Sequence, residues 1–446
     1  MKASGQQIEG FDYLSDLPDG VLHHVLSFLP IKDVIRTSFI SRRWRYLWTS
    51  VPTLDFNGLV FSPKPKFINF VDSVLHRRDN CGIQKFCLRF GGYYCTSTHA
   101  HAWILAAINH NVQELGLSFY ALNSFELPRE IFTCRSLTVL TLKLNYSTFY
   151  LPSFIYLPFL KTLQLIQVTF SDDILSHFFY NCPMLEDVLI EDFLLKDLTV
   201  LHISSTSLQT LNIDGIQKDL MFYNCMLESE IRILTPNLLS LEYKDSFKRN
   251  ISLGNMSSLT NASIDLDFDM DDSEQTCGCQ AINLLKDLAS AKCLMLSSAI
   301  VKILSATPTV FLQLQTFSNL KRLKLTVDVS GQNIRAMACF LHLSPCLELL
   351  TIELSRSRRW FNTNDVFEPQ EAEYVVDHLK IVKIRGFLGS EQECGFVKYL
   401  LEHACTLERM TIVSSKQLSA NSALRMKIRE EILLHPRCSR NSEIIF

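Results

Sequence analysis

The 446-residue sequence has few of the features that mark enzymes or membrane proteins. It contains only 15 glycines, and no Gly-x-Ser-x-Gly, Walker, Gly-x-Gly-x-x-Gly or His-Glu-x-x-His motif occurs. No window of about 18 residues is apolar without charge or proline, and the first ten residues lack the apolar core of a signal peptide. We therefore expect a non-catalytic protein that is neither secreted nor membrane-spanning and that works in the nucleus, the cytoplasm or both.

The sequence also lacks a large charge of one sign, since 43 Lys and Arg face 46 Asp and Glu for a net charge of −3. No strong field is available to attract phosphate backbones, so nucleic acid is not the expected partner. Hydrophobic residues make up 47% of the chain and include 30 Phe, which predicts a folded protein with a sizeable core. The length matches about three domains, or one domain and a repeat array.

Paired cysteines of the kind that bind zinc are missing as well, because the 14 cysteines include no Cys-x-x-Cys. Without a signal peptide they are expected to be reduced and mostly buried. Two loose groups, Cys95 with His99 and His101, and Cys277 with Cys279, are interpreted as ordinary loop residues, so neither metal nor cofactor is expected. An acidic segment lacks EF-hand spacing and is interpreted as a strand that runs into a solvated loop, with a target or regulatory contact as the alternative. Its carboxylates are Asp265, Asp267, Asp269, Asp271, Asp272 and Glu274.

One six-residue phrase, apolar-x-x-apolar-x-apolar, recurs thirteen times at a mean spacing of about 27 residues. The phrases are Ile83/Phe86/Leu88, Val112/Leu115/Leu117, Leu137/Leu140/Leu142, Leu160/Leu163/Leu165, Leu185/Val188/Ile190, Leu208/Leu211/Ile213, Leu238/Leu241/Tyr243, Leu259/Ala262/Ile264, Ala291/Leu294/Leu296, Leu320/Leu323/Leu325, Leu347/Leu350/Ile352, Leu379/Val382/Ile384 and Leu407/Met410/Ile412.

The last two apolar positions of each phrase alternate with polar ones, which predicts a short strand with one buried face. Between phrases, segments such as 172–180 show helical periodicity and supply the return path. One such unit cannot bury its apolar face alone, whereas stacked neighbours share a continuous core. A single phrase would fit any α/β domain, but thirteen in phase predict an α/β leucine-rich-repeat solenoid with a parallel β-sheet on its concave face.

Residues 12–56 follow a different pattern. Apolar spacing predicts an amphipathic helix over 18–29, a second short helix from about Lys32 and a third over 41–50 that carries Trp44 and Trp48. Three helices in about 40 residues bury little by themselves. Such a unit should cover part of its apolar surface with a partner, so we interpret it as a docking module.

The run LPDGVLHHVLSFLPIKDVIRTSFISRRWRYLWTSVP resembles an F-box of the plant type. LPFLKTLQLIQVTFSDDILSHFFYNCPMLEDVLIED is similar to the leucine-rich region of plant F-box proteins, and HLKIVKIRGFLGSEQECGFVKYLLEHACTLERMTIV and ILLHPRCSRNSEIIF resemble their FBD region and C-terminal ending. The start of the FBD region departs from the usual pattern, with Trp360 followed by 366–369. The resemblance implies an F-box at 11–56, a repeat array at 57–359 and an FBD-type region and cap at 360–446.

The same resemblance implies substrate recognition in a Skp–cullin–F-box ubiquitin ligase, with ubiquitin transfer left to other subunits. The F-box would bind the Skp-class adaptor and, through it, a cullin. By analogy the adaptor-facing residues are Leu17, Pro18, Leu22, Val25, Leu26, Val34, Trp44 and Trp48. For Leu22, Leu26 and Trp44, packing within the module is an equally good interpretation.

The strands would hold an unknown target protein on outward-facing residues of mixed sign. The candidates are Lys143, Glu191, Asp214, Lys244, Lys324, Glu353, Lys383 and Arg385. Three alternatives stay open: a receptor of the same architecture that needs a small ligand, a ligase-independent interaction scaffold, and an F-box protein that has lost its target.

Overall fold

The computed structural model describes residues 16–61, 64–91, 97–120, 126–171, 174–216, 229–268, 273–307, 313–327, 331–354 and 378–446. The chain forms two compact units, one of Met1–Phe170 with Asn181–Leu185, the other of Ser171–Tyr180 with Glu186–Phe446. No helix within the described ranges is long and apolar enough to cross a membrane.

Among its described residues, the first unit has four α-helices and five parallel strands. Its helices are Asp19–Ser27 (α1), Ile31–Arg36 (α2), Lys64–His76 (α3) and Ser97–Asn109 (α4), with 3-10 turns at Thr37–Phe39, Leu47–Ser50, Gly58–Val60 and Arg129–Thr133. Its strands are Thr53–Asn57 (β1), Lys85–Gly91 (β2), Glu114–Tyr120 (β3), Val139–Thr148 (β4) and Thr162–Phe170 (β5). They pair in chain order.

The second unit continues the alternation of strands and return segments. Its strands are Asp187–Glu191 (β6), Leu194–Leu195 (β7), Val200–Ser204 (β8), Thr210–Asp214 (β9), Ser229–Leu234 (β10), Ser240–Ser246 (β11), Arg249–Leu253 (β12), Asn261–Asp267 (β13), Cys293–Leu296 (β14), Arg322–Val327 (β15), Leu349–Leu354 (β16), Ile381–Phe387 (β17), Arg409–Ser414 (β18) and Glu443–Ile445 (β19). Its helices are Ile174–Tyr180 (α5), Glu274–Asp287 (α6), Ser298–Ala306 (α7), Gly331–His342 (α8), Glu391–His403 (α9), Lys416–Ala420 (α10) and Ser422–Leu434 (α11).

The repeated apolar phrase accounts for the sheet in both units. Every side chain of the thirteen triplets is 2% exposed or less. Matching positions of successive phrases are partners in the ladder, as in Leu323 to Leu350 and Val382 to Met410. Identical spacing in each repeat keeps apolar side chains on one face of a parallel sheet, and the helices and loops of the return segments cover that face. The predicted α/β repeat architecture is confirmed.

Four sets of strands lie outside the thirteen phrases. Strand β1 precedes them in the first unit, where Leu54 and Phe56 and the preceding Val51 are buried in the same spacing, so the sheet of that unit begins where the F-box pattern ends. In the second unit, β19 pairs with β18 at the end of the sheet, and β7 is a strand of two residues. Strands β8, β10 and β12 form a separate parallel sheet in the return segments of the second unit. Alternation over only five or six residues gave no repeat signal for this second sheet.

The N-terminal helices are shorter than predicted. The first begins at Asp19 and ends at Ser27, with Pro18 as its N-cap residue, and the second begins at Ile31 after Pro30. The prediction of a regular helix over 41–50 is wrong, because this segment is a series of turns that ends in a 3-10 turn at Leu47–Ser50. Trp44 and Leu47 are both inserted into the module, which holds the segment in this tighter path.

The expectation that all cysteines are reduced is wrong for one pair. Cys405, just after α9, and Cys438, after α11, form a disulfide. The Cys438 amide donates to the Leu401 carbonyl at 2.9 Å, which brings the two cysteines together although 33 residues separate them. Such proximity depends on how α11 folds back, so spacing alone could not reveal it.

The region expected to resemble FBD continues the repeat structure. Strands β17 and β18 pair in parallel, and Cys394, Val397, Leu400 and Leu401 of the intervening α9 are buried, as is Ala404 directly after it. On the last helix, α11, Ile428 and Ile432 are buried while Leu424 is exposed. Trp360 and residues 366–369 lie outside the described residues, so the division at 360 stays a prediction.

Candidate interaction surfaces

The first helix presents apolar side chains on two faces. Leu22 and Leu26 are fully buried inside the N-terminal module. Val21 and Val25 on the outer face of α1, and Phe28 and Leu29 directly after its end, are between 42% and 75% exposed. Their spacing of i, i+4, i+7 and i+8 places them on one stripe. An outer stripe of this kind is unusual for an isolated module and indicates a surface that another protein covers.

The segment after the second helix adds further exposed apolar side chains. Phe39 is 88% exposed, and Ile40 and Tyr46 are also exposed. We call the outer stripe of α1 together with these three residues the apolar docking surface. Sequence reasoning missed all of it except Val25, because a pattern of apolar residues does not tell which of two apolar faces is turned inward.

The eight residues expected to face the adaptor fall into two groups. Leu22, Leu26 and Val34 are fully buried and Trp44 is 4% exposed, so for these four the packing interpretation is the one that the structure supports. The other four are accessible to different degrees. Pro18 and Val25 are exposed, while Leu17 and Trp48 are half-buried.

One arginine joins the two ends of the module. Arg43 donates to the Leu17 carbonyl at 2.5 Å and to the Asp19 carboxylate at 2.8 Å. The hydrogen bond from Arg43 also lowers the pKa of Asp19, because it stabilises the charged carboxylate. The bond from Arg43 thus fixes the start of α1 against the turns that follow α2.

All eight expected target-facing residues lie on outward positions of strands, each directly after a buried residue. Lys143 is in the first unit, where its ammonium group lies 5.6 Å from the centre of the Tyr120 ring. The other seven lie in the second unit on β6, β9, β11, β15, β16 and β17. The ladder places Glu191, Asp214 and Lys244 at corresponding positions of three neighbouring strands.

Ion pairs link several of these candidates. The Lys244 ammonium lies 3.9 Å from the Asp214 carboxylate. Glu353 bridges Lys324 at 3.1 Å and Arg385 at 3.4 Å, across three strands. All of these groups are partly exposed, so each pair adds little stability and stays available to a partner.

A buried polar cluster, which the sequence did not reveal, lies beneath the outer face of β11. Asp245 accepts from Arg249 at 2.7 Å, from the Ser246 amide at 2.8 Å and from the Tyr243 hydroxyl at 3.3 Å. The Arg249 guanidinium also donates to the Ser229 hydroxyl at 3.2 Å and lies 4.6 Å from the centre of the Phe193 ring.

Burial raises the pKa values of both acidic groups in this cluster. For Asp245, burial outweighs the stabilisation of its charge by Arg249 and raises its pKa. Burial also raises the pKa of the Tyr243 hydroxyl, and the neighbouring Asp245 adds to this effect. All members are fixed by packing and by one another, so we assign the cluster a structural role.

The two cysteine groups do not form a metal site in the part of the chain that the structure describes. Cys277 is buried on α6 whereas Cys279 is exposed. His101 contacts the Glu126 carbonyl at 2.6 Å, and Cys95 lies outside the described residues. No group of three metal-ligating side chains occurs among the described residues. Of the acidic segment, Asp265 and Asp267 end strand β13, and 269–272 are not described.

Comparison with known protein families agrees with this division into a helical module and a repeat array. A model of the F-box domain matches residues 14–55. A model described as "At1g61320/AtMIF1, LRR domain" matches residues 74–439, which is most of the chain. The chain belongs to the F-box/LRR-repeat family. The repeat match of this F-box/LRR chain extends through the region that resembles FBD, in agreement with the shared register of β16, β17 and β18.

Relatives of this F-box/LRR chain in Arabidopsis thaliana cover nearly its whole length. It is 29% identical to F-box/LRR-repeat protein 13, over 97% of this chain and 96% of the relative. It is 30% identical to putative F-box/LRR-repeat protein At3g42770, over 95% of this chain and 78% of the relative. It is 28% identical to putative F-box/FBD/LRR-repeat protein At4g03220, over 98% and 95%.

Proposed function

We propose that this protein is a non-catalytic substrate-recognition subunit of a Skp–cullin–F-box ubiquitin ligase. The observation that carries the proposal is the apolar docking surface on an F-box: Val21 and Val25 are exposed on a helix whose other face is buried, and the exposed Phe28 and Leu29 follow directly after its end. A module this small gains affinity by covering such a stripe with a partner of matching shape. The partner is a Skp-class adaptor, which in turn binds a cullin.

The residues of the F-box divide between binding and folding. Pro18, Val25 and the rest of the apolar docking surface contact the adaptor, as do the accessible parts of the half-buried Leu17 and Trp48. Leu22, Leu26, Val34 and Trp44 act indirectly, since their burial fixes the helices that carry the surface. Truncation of a buried residue should therefore weaken adaptor binding only as far as it unfolds the module.

The repeat array supplies the target-binding part. Its strands present a polar outer face, on which the target-facing candidates are half-buried or exposed. A target held there is brought close to the ubiquitin-transfer subunits, and proximity alone raises the effective concentration of its lysines. No catalytic residue is required of this chain.

Affinity capture tests this proposal. The intact protein and a Leu17→Ala/Pro18→Ala variant are purified from cells whose proteasome is inhibited, and the co-purified proteins are identified by mass spectrometry. We expect adaptor and cullin to be captured by the intact protein and lost from the variant, while other bound proteins persist. Failure of the intact protein to capture any adaptor would contradict the proposal and leave a ligase-independent scaffold.

A further inference from the structure

The outer face of the second unit's sheet is acidic at one end. The outward side chains of β6, β9, β11 and β13 include six carboxylates and one cation. The carboxylates are Asp187, Glu191, Asp214, Glu242, Asp265 and Asp267, and the cation is Lys244. Corresponding positions of Asp214, Lys244 and Asp265 are ladder partners, so these charges lie on adjacent strands.

The acidic groups influence one another. Loss of water contact is the main cause that raises the pKa of Asp265, and the nearby Asp267 and Asp214 carboxylates raise it further, against Lys244 and a hydrogen bond with Ser297. One lysine is therefore shared among several carboxylates, and the strands keep an excess of negative charge. We call β6, β9, β11 and β13 the acidic strands.

Beyond the acidic strands the same sheet is basic on β15 to β18, while its last strand, β19, carries Glu443, which pairs with Arg409 at 2.8 Å. The outward side chains of β15, β16, β17 and β18 include five cations and one carboxylate. The cations are Arg322, Lys324, Lys383, Arg385 and Arg409, and the carboxylate is Glu353. Arg322, Lys383, Arg385 and Arg409 are exposed. We call β15, β16, β17 and β18 the basic strands. Strand β14 lies between the two groups and turns the uncharged Cys293 and Met295 outward.

The first unit shows no such division on its described strands. Asp55 pairs with Arg89, and Lys85 pairs with Glu114 at 3.3 Å, so opposite charges alternate on neighbouring strands. Charges of both signs are thus mixed on β1 to β3, whereas the second unit separates the signs along its sheet. A separation maintained over eight strands in one unit is a property of the surface and not of a single ion pair.

We propose that this face binds a protein segment with the opposite charge order, a basic stretch over the acidic strands and an acidic stretch over the basic strands. The centres of the two groups are five strands apart, which corresponds to about 24 Å at the usual spacing of strands. The inference specifies the chemical class of target that the repeat array would bind, and it rests on the proposed function for its biological role. Matching of both signs selects the target and orients it along the sheet.

Purely anionic partners fit this face less well. A nucleic acid or a polyanionic peptide that follows the sheet beyond the basic strands would place negative charge directly over the six carboxylates. There the like charges lie within a Debye length of about 8–10 Å at ordinary salt, and they repel. The charge order therefore favours a bipolar protein segment over nucleic acid.

The test measures peptide binding to the purified full chain, with a Skp-class adaptor added in parallel samples. The probe is a fluorescent peptide with a block of about five lysines, a Gly/Ser linker of about six residues and a block of about five glutamates, long enough to span about 24 Å. Its comparison peptide has the same composition with alternating signs. We expect the block peptide to bind at least about tenfold more tightly, with a difference that shrinks as salt rises.

Paired variants separate the two ends of the face. Glu242→Lys/Asp265→Lys should abolish binding of an all-lysine peptide and keep that of an all-glutamate peptide, while Lys383→Glu/Arg385→Glu should do the reverse. Each should weaken block-peptide binding by about fivefold or more. The control, Lys427→Glu/Glu430→Lys, reverses one charge of each sign on the exposed side of α11 without changing the net charge, and should leave every affinity unchanged.

Three results would overturn the inference: equal binding of block and alternating peptides, equal loss of both single-sign peptides in either variant, or competition by duplex DNA as strong as that of the block peptide. Adaptor binding is measured in the parallel samples and should not change in any of these variants. If the wild-type chain does not bind the adaptor but still binds the block peptide selectively, the ligase function is refuted while the inference about the charge order of this face is kept.

Discussion

The Arg249 guanidinium donates to the Asp245 carboxylate at 2.7 Å. Both side chains are buried, with 6% of Arg249 and 0% of Asp245 exposed. Asp245 occupies an inward position of β11, two residues after Tyr243, where the repeat pattern otherwise places apolar side chains. Arg249 opens β12, which belongs to the second sheet. The ion pair therefore ties the repeat strand to the sheet in the return segments.

Replacing Arg249 by methionine should strongly destabilise the protein. The methionine fills most of the volume, but Asp245 is left as a buried carboxylate without its cation. We expect a loss of about 3–5 kcal/mol in the free energy of unfolding, measured by urea titration. The double variant Asp245→Leu/Arg249→Met should recover most of it, since both charges are then removed. A single variant as stable as wild type would show that the pair carries no such role.

The position of Gly215 gives a second measure of the same cluster. A Cβ atom built on Gly215 would lie 2.2 Å from the Asp245 carboxylate and 2.6 Å from the Arg249 guanidinium. Gly215→Ala should therefore displace the ion pair and lower the melting temperature, as thermal unfolding followed by circular dichroism can show. Gly20 is a matched control, because a Cβ there meets no atom within 4 Å. Equal effects of the two alanines would contradict the packing described here.

The loop before α9 depends on one carboxylate. Glu393 is 5% exposed, and its Oε2 accepts from the amides of Leu388, Gly389 and Ser390 at 2.8, 2.7 and 3.2 Å. Glu393→Ala leaves these donors without a partner and should cost about 1–3 kcal/mol. Glu393→Gln keeps an oxygen acceptor and should cost less. Hydrogen exchange of the three amides is the direct readout, and unchanged protection in the alanine variant would refute the assignment.

The disulfide should stabilise the C-terminal part of the second unit. It closes a loop that contains α10 and α11, and for a loop of about 34 residues the entropy model gives about 3–4 kcal/mol. Cys438→Ser should therefore lower the melting temperature under oxidising conditions and have no effect in the presence of a thiol reductant. Cys279→Ser, at an exposed free cysteine, is the control. A melting temperature of the wild type that does not respond to reductant would contradict the prediction.

The sequence predicted the repeat strands well because their signal is redundant. Thirteen triplets share one spacing, so that even the weak Ala291/Leu294/Leu296 phrase falls in register with its neighbours. Features built from long-range contacts were not predicted, among them the Cys405–Cys438 bond, the second sheet and the Asp245–Arg249 pair. Each depends on how a return segment folds back, and no local pattern encodes that path.

For the candidate surfaces, residue type was predicted better than orientation. Outward strand positions followed from alternation, so all eight target-facing candidates are on the outer face. The order of the charges along the sheet became visible only when the ladder fixed which strands are neighbours. Strand β9 pairs with β11 through Thr210 and Ser240, and β14 pairs with β15 through Cys293 and Arg322. On the F-box, helical periodicity found the apolar residues of α1, but tertiary packing decided that Leu22 is inside and Val21 outside.

Titration of purified Skp-class adaptor into the purified full chain measures directly whether the apolar docking surface binds the adaptor. Val25→Asp/Phe28→Asp should weaken binding by about 100-fold or more, because charges are placed in an apolar interface, with the melting curve unchanged. Leu434→Asp, at another exposed apolar residue, the last one of α11, should bind as wild type. Wild-type affinity in the Val25/Phe28 variant, or no binding by the wild type, would contradict the account.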